Sequence, residues 1–308
     1  GARGRVGPAG PGPWPLEVLC REAPAKPGQT LPLRNAAYAG KFLRMKNPDQ
    51  LSSPDLQGTR CGYVTLAGRP NAGKSTLMNA LIGERLSIVT SKAQTTWQRV
   101  TGILSTERAQ MIFLDTPGLL EPLDLLQRSL LSTARIALEE ADVVLLVLDG
   151  SRDSPETEIE RIEATLDPRP SVPLLAAINK MDLAEERRAQ YLGQWASQVL
   201  GAETFHVCAL DSTGVDAMRN RLEELLPPGP FLYPPDDIAR DPVRFFVAEM
   251  IRETVFEEYH QEIPYSCFSQ IEEFREGEDP VYIQANLFVE RESQKRILIG
   301  KRGASIRN

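Results

Sequence analysis

Three short stretches of this sequence carry residue types able to hold a phosphate chain and the base attached to it. The first is Gly68-Arg69-Pro70-Asn71-Ala72-Gly73-Lys74-Ser75, which fits the pattern G-x-x-x-x-G-K-[ST]. The backbone amides of such a loop, with the N-terminus of the helix that follows, face an anion. Lys74 sets a point charge against the β- and γ-phosphates, and the Ser75 hydroxyl suits Mg²⁺. Gly68, Asn71, Ala72, Gly73 and Thr76 complete the cradle. The second stretch is Asp115-Thr116-Pro117-Gly118, at the end of an apolar run. An aspartate there can hold Mg²⁺ through water, and Gly118 lets the backbone approach the γ-phosphate.

The third stretch is Asn179-Lys180-Met181-Asp182. The Asp182 carboxylate can accept from guanine N1 and N2. Adenine lacks that donor pair and would leave a buried acceptor unpaired. Asn179 and Lys180 brace the loops and cover the ring. Between the first two stretches lies the polar Ser91-Lys92-Ala93-Gln94-Thr95-Thr96. One threonine there should reach Mg²⁺ and the γ-phosphate in the GTP state and release them afterwards, Thr96 being preferred to Thr95. Cys208-Ala209 should present a backbone amide to the guanine oxygen. The predicted ligands are GTP or GDP with Mg²⁺, the metal held by Ser75, Thr96 and Asp115. Lys74, Thr96 and Gly118 would act on the phosphoryl group. Leu119 stands where many GTPases carry a water-orienting glutamine, so slow intrinsic turnover is expected.

These stretches need a scaffold that brings loop ends together. From Cys61 onward, apolar strands alternate with helices. Strands are expected over 63–67, 111–115, 142–149, 174–179 and 205–210, and helices over 75–82, 124–139, 156–166, 183–200 and 215–226. That alternation predicts an α/β fold, a mostly parallel sheet with helices on both faces. Ligands of such sheets bind at the carboxyl ends of the strands. The expected GTPase domain spans residues 59–228. A proline-rich linker, 229–240, follows as a stiff connection. Residues 241–308 read as helix (243–259), strand (266–273), strand (281–289), helix (293–299) and a glycine-bounded turn.

Composition narrows the setting. With 42% hydrophobic and 25% charged residues, the chain has an ordinary globular composition. Its net charge of −7 argues against a protein coated in nucleic acid, while leaving room for a local basic patch. Apolar runs are strand-sized, short of the ~20 residues a membrane helix needs; a peripheral membrane contact stays open. Cys20, Cys61, Cys208 and Cys267 are widely spaced, as reduced thiols rather than a disulfide framework or zinc site. Residues 1–58 are rich in Gly, Pro, Ala and Arg and poor in acids, with no sustained helix or strand period. They read either as a disordered tail or as an organellar targeting leader. A leader implies an organelle stroma or matrix, plastid ahead of mitochondrion; the alternative is a bacterial cytoplasm.

Taken in order, Gly-Arg-Pro-Asn-Ala-Gly-Lys-Ser-Thr, Lys-Ala-Gln-Thr-Thr, Asp-Thr-Pro-Gly-Leu and Asn-Lys-Met-Asp resemble the Era family of ribosome-assembly GTPases. Val289-Glu290-Arg291-Glu292-Ser293-Gln294-Lys295 and Ile299-Gly300-Lys301-Arg302-Gly303 resemble the KH domain of that family with its G-x-x-G loop. The resemblance runs from about residue 61 onward. It implies an α+β type II KH domain that binds the 3′ end of small-subunit ribosomal RNA through Lys295, Gly300, Lys301, Arg302 and Gly303. It also implies a switch role in assembly of the small ribosomal subunit. From Arg291 onward the charges are Arg291, Lys295, Arg296, Lys301, Arg302 and Arg307 against Glu292 alone, which suits a phosphate backbone. Asn71 resembles the asparagine that helps related GTPases bind an activating K⁺; its alternative is a loop residue bonding its own backbone.

Three features depart from the family pattern. Trp97 stands where an arginine is usual, and Cys208 replaces the usual serine. The chain ends at Asn308, before the rest of a helix and the last strand that a type II KH domain carries. A truncated domain, an incomplete RNA groove, weakened binding of ribosomal RNA and of the small ribosomal subunit, and an exposed sheet edge are therefore expected. The competing function class is a GTP-regulated RNA-binding scaffold in which hydrolysis is incidental. A tRNA-modifying or large-subunit GTPase would share the first domain but not the G-x-x-G unit.

Overall fold

Leucine and valine runs too apolar to face water on either side build the strands, and amphipathic stretches between them build the covering helices. The computed structural model describes residues 16–20, 58–90, 92, 96, 98–119, 125–151, 154–166, 169–277 and 280–307. The chain divides into a unit over Asn47–Asp241 and a unit joining Gly1–Lys46 to Pro242–Asn308. The first strand, β1 (Leu16–Cys20), belongs to the latter.

The unit over Asn47–Asp241 runs β2 (Arg60–Ala67), α1 (Lys74–Ile82), β3 (Val100–Ser105), β4 (Ala109–Asp115), α2 (Leu125–Glu139) and β5 (Val143–Asp149). It continues with α3 (Pro155–Thr165), β6 (Leu174–Asn179), α4 (Glu186–Leu200), β7 (Glu203–His206) and α5 (Val215–Leu225). The strand order is β3-β4-β2-β5-β6-β7, parallel throughout except for β3 against β4. Every residue of β4 and β5 is buried, as in a sheet covered on both faces. Leu131 of α2, Ile162 of α3 and Leu192 of α4 join Val144, Leu146 and Ile178 in one core. The carboxyl ends of β2, β4, β5 and β6 lie side by side, where the motif loops begin.

β3 and α4 differ from expectation, and β7 covers Glu203–His206 rather than 205–210. β3 has no counterpart in the sequence reading: Val-Thr-Gly-Ile-Leu-Ser neither alternates cleanly nor forms a continuous apolar run, and its pairing comes from β4. α4 begins at Glu186 rather than 183, because a turn with Leu183 N–H donating to Lys180 O (2.9 Å) comes first. The stretch Ser91, Ala93 to Thr95 and Trp97 lies outside the described residues, as does most of the expected leader.

Residues 229–240 are not a free spacer. Proline removes helical continuity, yet the remaining amides and carbonyls pair with this same unit. The Ile103 N–H donates to Ile238 O at 2.8 Å, and Arg240 N–H to Thr101 O at 3.4 Å. These bonds cover the outer edge of β3. The fully buried Gln110 of β4 holds the rest. Its Oε1 accepts from Leu232 N (2.8 Å) and Tyr233 N (2.9 Å), and its Nε2 donates to Tyr233 O (2.9 Å) and Ser105 Oγ (3.0 Å).

The other unit contains α6 (Val243–Glu258), the short α7 (Ile263–Ser266), β8 (Cys267–Arg275) and β9 (Tyr282–Val289). Then come α8 (Glu292–Ile299), a 3₁₀ turn (Lys301–Gly303) and α9 (Ala304–Arg307). Alternate residues of β9, Ile283, Ala285 and Leu287, pack with Val247, Ile251 and Val255 of α6 and Leu298 of α8. This is the helix-strand-strand-helix order expected of a KH unit. The sheet order is β1-β9-β8, with β8 antiparallel and β1 parallel to β9. The expectation of an exposed edge is corrected for β9 alone: β1 pairs along it from Leu16↔Ala285 to Cys20↔Val289, and β1 and β8 are the outer strands among the described residues. The β1 pairing also corrects the expectation of a leader without strands. Five residues are too few to show a period, and the partner lies more than two hundred residues away in sequence.

Candidate nucleotide site

The site forms where four parallel strands hand over to loops. Gly73, at the start of α1, has φ 94°, a left-handed value. A Cβ built there would sit 2.2 Å from Asn179 Nδ2. That nitrogen donates to Ala72 O at 2.9 Å, while Asn179 Oδ1 accepts from Ala209 N at 3.0 Å. One buried asparagine therefore stitches the P-loop, the Asn179–Asp182 turn and the Cys208–Ala209 loop together. Cys208 Sγ adds a bond to Asp182 Oδ1 at 3.2 Å, and Met181 N–H donates to Val207 O at 3.3 Å. Asp182 itself is exposed, open to a base edge.

Lys74 is 6% exposed, and its ammonium donates to the carbonyls of Gly68 (3.2 Å) and Arg69 (3.0 Å). Burial lowers its pKa to about 8, against the opposing pull of the Asp115 and Glu158 carboxylates. Ser75, Thr96 and Asp115 meet as expected. Ser75 Oγ donates to Asp115 Oδ2 at 2.6 Å and lies 3.3 Å from Thr96 Oγ1. Asp115 is fully buried, and its Oδ1 has no hydrogen-bond partner. Burial pushes its carboxyl above the ordinary range despite Lys74 and the Ser75 and Thr96 hydroxyls. A buried carboxylate oxygen without a donor, beside two hydroxyls, is a hard-oxygen set that fits Mg²⁺. Thr95 lies outside the described residues.

A cleft of about 360 Å³ opens over these groups, within the range of small-ligand sites, on the order of 300–1,000 Å³. Asn71, Gly73, Lys74, Ser75, Thr76, Thr96, Gly118 and Lys180 line it. Other expected residues act from behind it. Gly68 O accepts from Leu119 N at 2.9 Å, and the Thr116 hydroxyl donates to Leu66 O at 2.8 Å. Thr116, Pro117 and Ala72 are absent from the wall, as are Asp182, Cys208 and Ala209. Leu119 is buried in the core, so its side chain faces away from any attacking water.

Sequence reasoning missed two participants. Asp149, at the end of β5, lines the cleft and pairs with Lys180 Nζ at 2.8 Å. Burial pushes the Asp149 carboxyl up, but hydrogen bonds from Lys180 and Ser151 outweigh it and hold it below the ordinary range. An aspartate ending an apolar run was the available signal. The second is Glu158, on α3, whose buried carboxylate pairs with Arg69 of the P-loop.

Comparison with known proteins follows the same division. The family described as 50S ribosome-binding GTPase matches residues 63–180, and the KH domain family matches 262–308. The GTPase Era of Bradyrhizobium diazoefficiens is 41% identical over 254 residues, 81% of each chain. The chain belongs to the Era family of GTPases. The GTPase Era of Nitratidesulfovibrio vulgaris is likewise 41% identical, over 80% of this chain and 83% of its own. An Aquifex aeolicus Era variant solved with GDP·AlF₄⁻ superposes with TM-score 0.74 at 34% identity, covering 80% of this chain and 85% of its own. An Era complex with MgGDPNP and nucleotides 1506–1542 of 16S ribosomal RNA gives the same values. This Era-family chain is accordingly a GTPase, a P-loop domain followed by a KH domain. Among the described residues no helix is long and apolar enough to cross a membrane.

Of the residues predicted to meet RNA, Gly300 to Gly303 follow the C-terminal end of α8, and Lys295 lies in the middle of that helix. Gln294 Oε1 accepts from Arg291 N at 2.9 Å to start the helix. Gly300, with φ 69°, ends it, and Gly303 N–H closes the turn on Gly300 O at 3.3 Å. Arg291, Arg296 and Lys301 are exposed and Lys295 is half-buried. The Tyr259 hydroxyl donates to Leu298 O at 2.8 Å, bracing the helix end before the loop. The backbone of Arg302 sits in the 3₁₀ turn.

Proposed function

We propose that this Era-family GTPase is a nucleotide-dependent switch that binds small-subunit ribosomal RNA and acts in assembly of the small ribosomal subunit, with Mg²⁺ as its metal. The observation that carries this reading is the presence, in one chain, of the Asn179-stitched P-loop site and the Gly300–Gly303 turn flanked by exposed Arg291, Arg296 and Lys301. A relative at 34% identity was solved holding both MgGDPNP and 16S RNA.

Each group then has a part. Asp182 accepts from the guanine donor edge, and Lys180, held by Asp149, lies along the ring. Lys74 exchanges its two carbonyl partners for phosphate oxygens. Ser75, Thr96 and Asp115 would hold Mg²⁺, which would supply charge neutralisation at the γ-phosphoryl group. Thr96 is the ligand that can leave after hydrolysis, since it belongs to the polar loop before β3. Buried Leu119 orients no water, which makes the unassisted reaction slow. K⁺ beside Asn71, whose backbone has φ 64° in the cleft wall, is the proposed accelerator. Single-turnover hydrolysis in K⁺ should exceed that in Na⁺; equal rates remove K⁺ from the mechanism.

The decisive experiment measures binding to a 3′-terminal fragment of small-subunit RNA with a GTP analogue, with GDP and without nucleotide. Tighter binding in one nucleotide state, weakened about tenfold or more by Lys301→Glu, supports the switch, as expected for a charge-assisted phosphate contact. RNA affinity indifferent both to nucleotide and to Lys301→Glu overturns it.

A further inference from the structure

Arg69 is the second residue of the P-loop and is not among the residues that line the cleft. Its backbone is a pivot of the loop: Arg69 O accepts from Ala72 N at 3.3 Å and from Lys74 Nζ at 3.0 Å. Its guanidinium is ion-paired with Glu158, a residue of the first turn of α3. Both side chains are withdrawn from water, Arg69 at 11% exposure and Glu158 at 1%. The second carboxylate oxygen, Glu158 Oε1, is buried with no hydrogen-bond partner. The helix that carries it starts on a Ser154 cap, with Ser154 Oγ accepting from Thr157 N at 3.3 Å.

A buried carboxylate near an anion site is an electrostatic liability. At low local dielectric a negative charge repels phosphate strongly, and it is tolerated only when paired. The pair sits beside the phosphate cradle: Arg69, which holds Glu158, also accepts from the Lys74 ammonium through its own carbonyl. Arg69 cancels the Glu158 charge and ties the pivot peptide of the P-loop to α3. We propose that Arg69 and Glu158 form a neutral buried anchor that positions the P-loop for phosphate, with Arg69 masking a carboxylate that otherwise repels the nucleotide. Neither residue touches the nucleotide; both are positioning residues.

The proposal makes an unusual demand on a double-mutant cycle. Removing the arginine alone leaves an unmasked buried charge, whereas neutralising both partners leaves none. Arg69→Met should therefore weaken mant-GDP binding at least about tenfold, and Arg69→Met/Glu158→Gln should recover affinity to within about threefold of the parent. In steady-state hydrolysis the Arg69→Met defect should appear in KM for GTP more than in kcat, because phosphate capture and not the chemical step is disturbed. Arg69→Lys keeps the charge and should retain most of the affinity, a second variant that serves if the methionine protein folds poorly. A purely structural pair predicts the reverse ranking, with the double variant no better than the single. Affinity within twofold of the parent in Arg69→Met, or a double variant no tighter than Arg69→Met, overturns the proposal. Nucleotide binding by the parent chain is measured alongside, which separates failure of the anchor from failure of the site itself.

Discussion

The two units each hold a glycine-bounded loop beside a helix end, and they do so in opposite ways. In the nucleotide unit the loop is tied to distant parts of the chain. Asn179 joins Ala72 to Ala209, Lys180 joins Asp149, and Glu158 joins Arg69. In the KH unit the Gly300–Gly303 turn is held locally. Gly303 bonds to Gly300, Gly300 to Arg296, and Tyr259 supplies the brace from α6. Long-range ties suit a site that must distinguish bases and fix a metal to within fractions of an ångström. A local turn suits recognition of a flexible strand through backbone and charge.

Equivalent glycine substitutions should expose that contrast. Gly73→Ala drives its methyl to 2.2 Å from Asn179 Nδ2 at a φ that alanine disfavours. Displacing Asn179 breaks two buried hydrogen bonds, each costing about 1–3 kcal/mol, so GDP affinity should fall by about 100-fold or more. Titration with mant-GDP measures this; a loss under tenfold would mean the stitch is dispensable. Gln110→Ala should come next. It removes all four hydrogen bonds that hold Ser105 and residues 232–233 against β4 and leaves buried amides unsatisfied. A loss of about 2–4 kcal/mol in urea unfolding is expected. A loss below 1 kcal/mol would return this segment to the role of a plain spacer.

How legible these features were follows from how much of each lies in one segment. Phosphate chemistry demands glycine, lysine and serine at fixed spacing, so the P-loop reads directly. The same holds for Asp115 and the Asn179–Asp182 turn, whose residues do meet. Glu158 did not read, because it is one of several glutamates near the start of α3 and looks like an ordinary helix-dipole acid. Its role depends on Arg69, nearly ninety residues earlier. Gln110 likewise lies just outside the strand expected over 111–115, whereas the observed strand runs Ala109–Asp115. β3 and β1 escaped because strand identity there is supplied by partners rather than by pattern.

Gly300→Ala tests the local loop with a smaller expected effect. Its methyl would lie 2.3 Å from Ser305 Oγ and 2.9 Å from Ser305 N at φ 69°. The hydroxyl can rotate away but the amide cannot, so a cost of about 1–2 kcal/mol in KH-unit stability is expected. RNA affinity should fall with it. A stability loss equal to or larger than that of Gln110→Ala would show that the turn is more deeply anchored than its local bonds imply.

The smallest effect, read over a single pH unit, concerns how the KH unit meets alkali. Burial pushes the Cys267 thiol, packed in the KH core and 2% exposed, up to about 12 from an ordinary 9.0, with Arg252 pulling the other way. Below pH 9 both folded and unfolded chains keep that proton. Above it the unfolded chain ionises while the folded chain does not, so the unfolded state binds fewer protons and stability falls as pH rises. The slope approaches about 1.4 kcal/mol per pH unit, and it persists until the folded thiol ionises near 12. Tyr259, raised to about 12 from 10.0 by burial, adds to the same trend above pH 10. Between pH 9 and 10 the thiol contributes more of the slope than Tyr259 does, because the unfolded thiol ionises first. Cys267→Ala should flatten stability of the KH unit across that interval, whatever the cavity costs at neutral pH. An unchanged slope in that variant would mean that Cys267 ionises as readily in the folded chain as in the unfolded one, and that this core admits water.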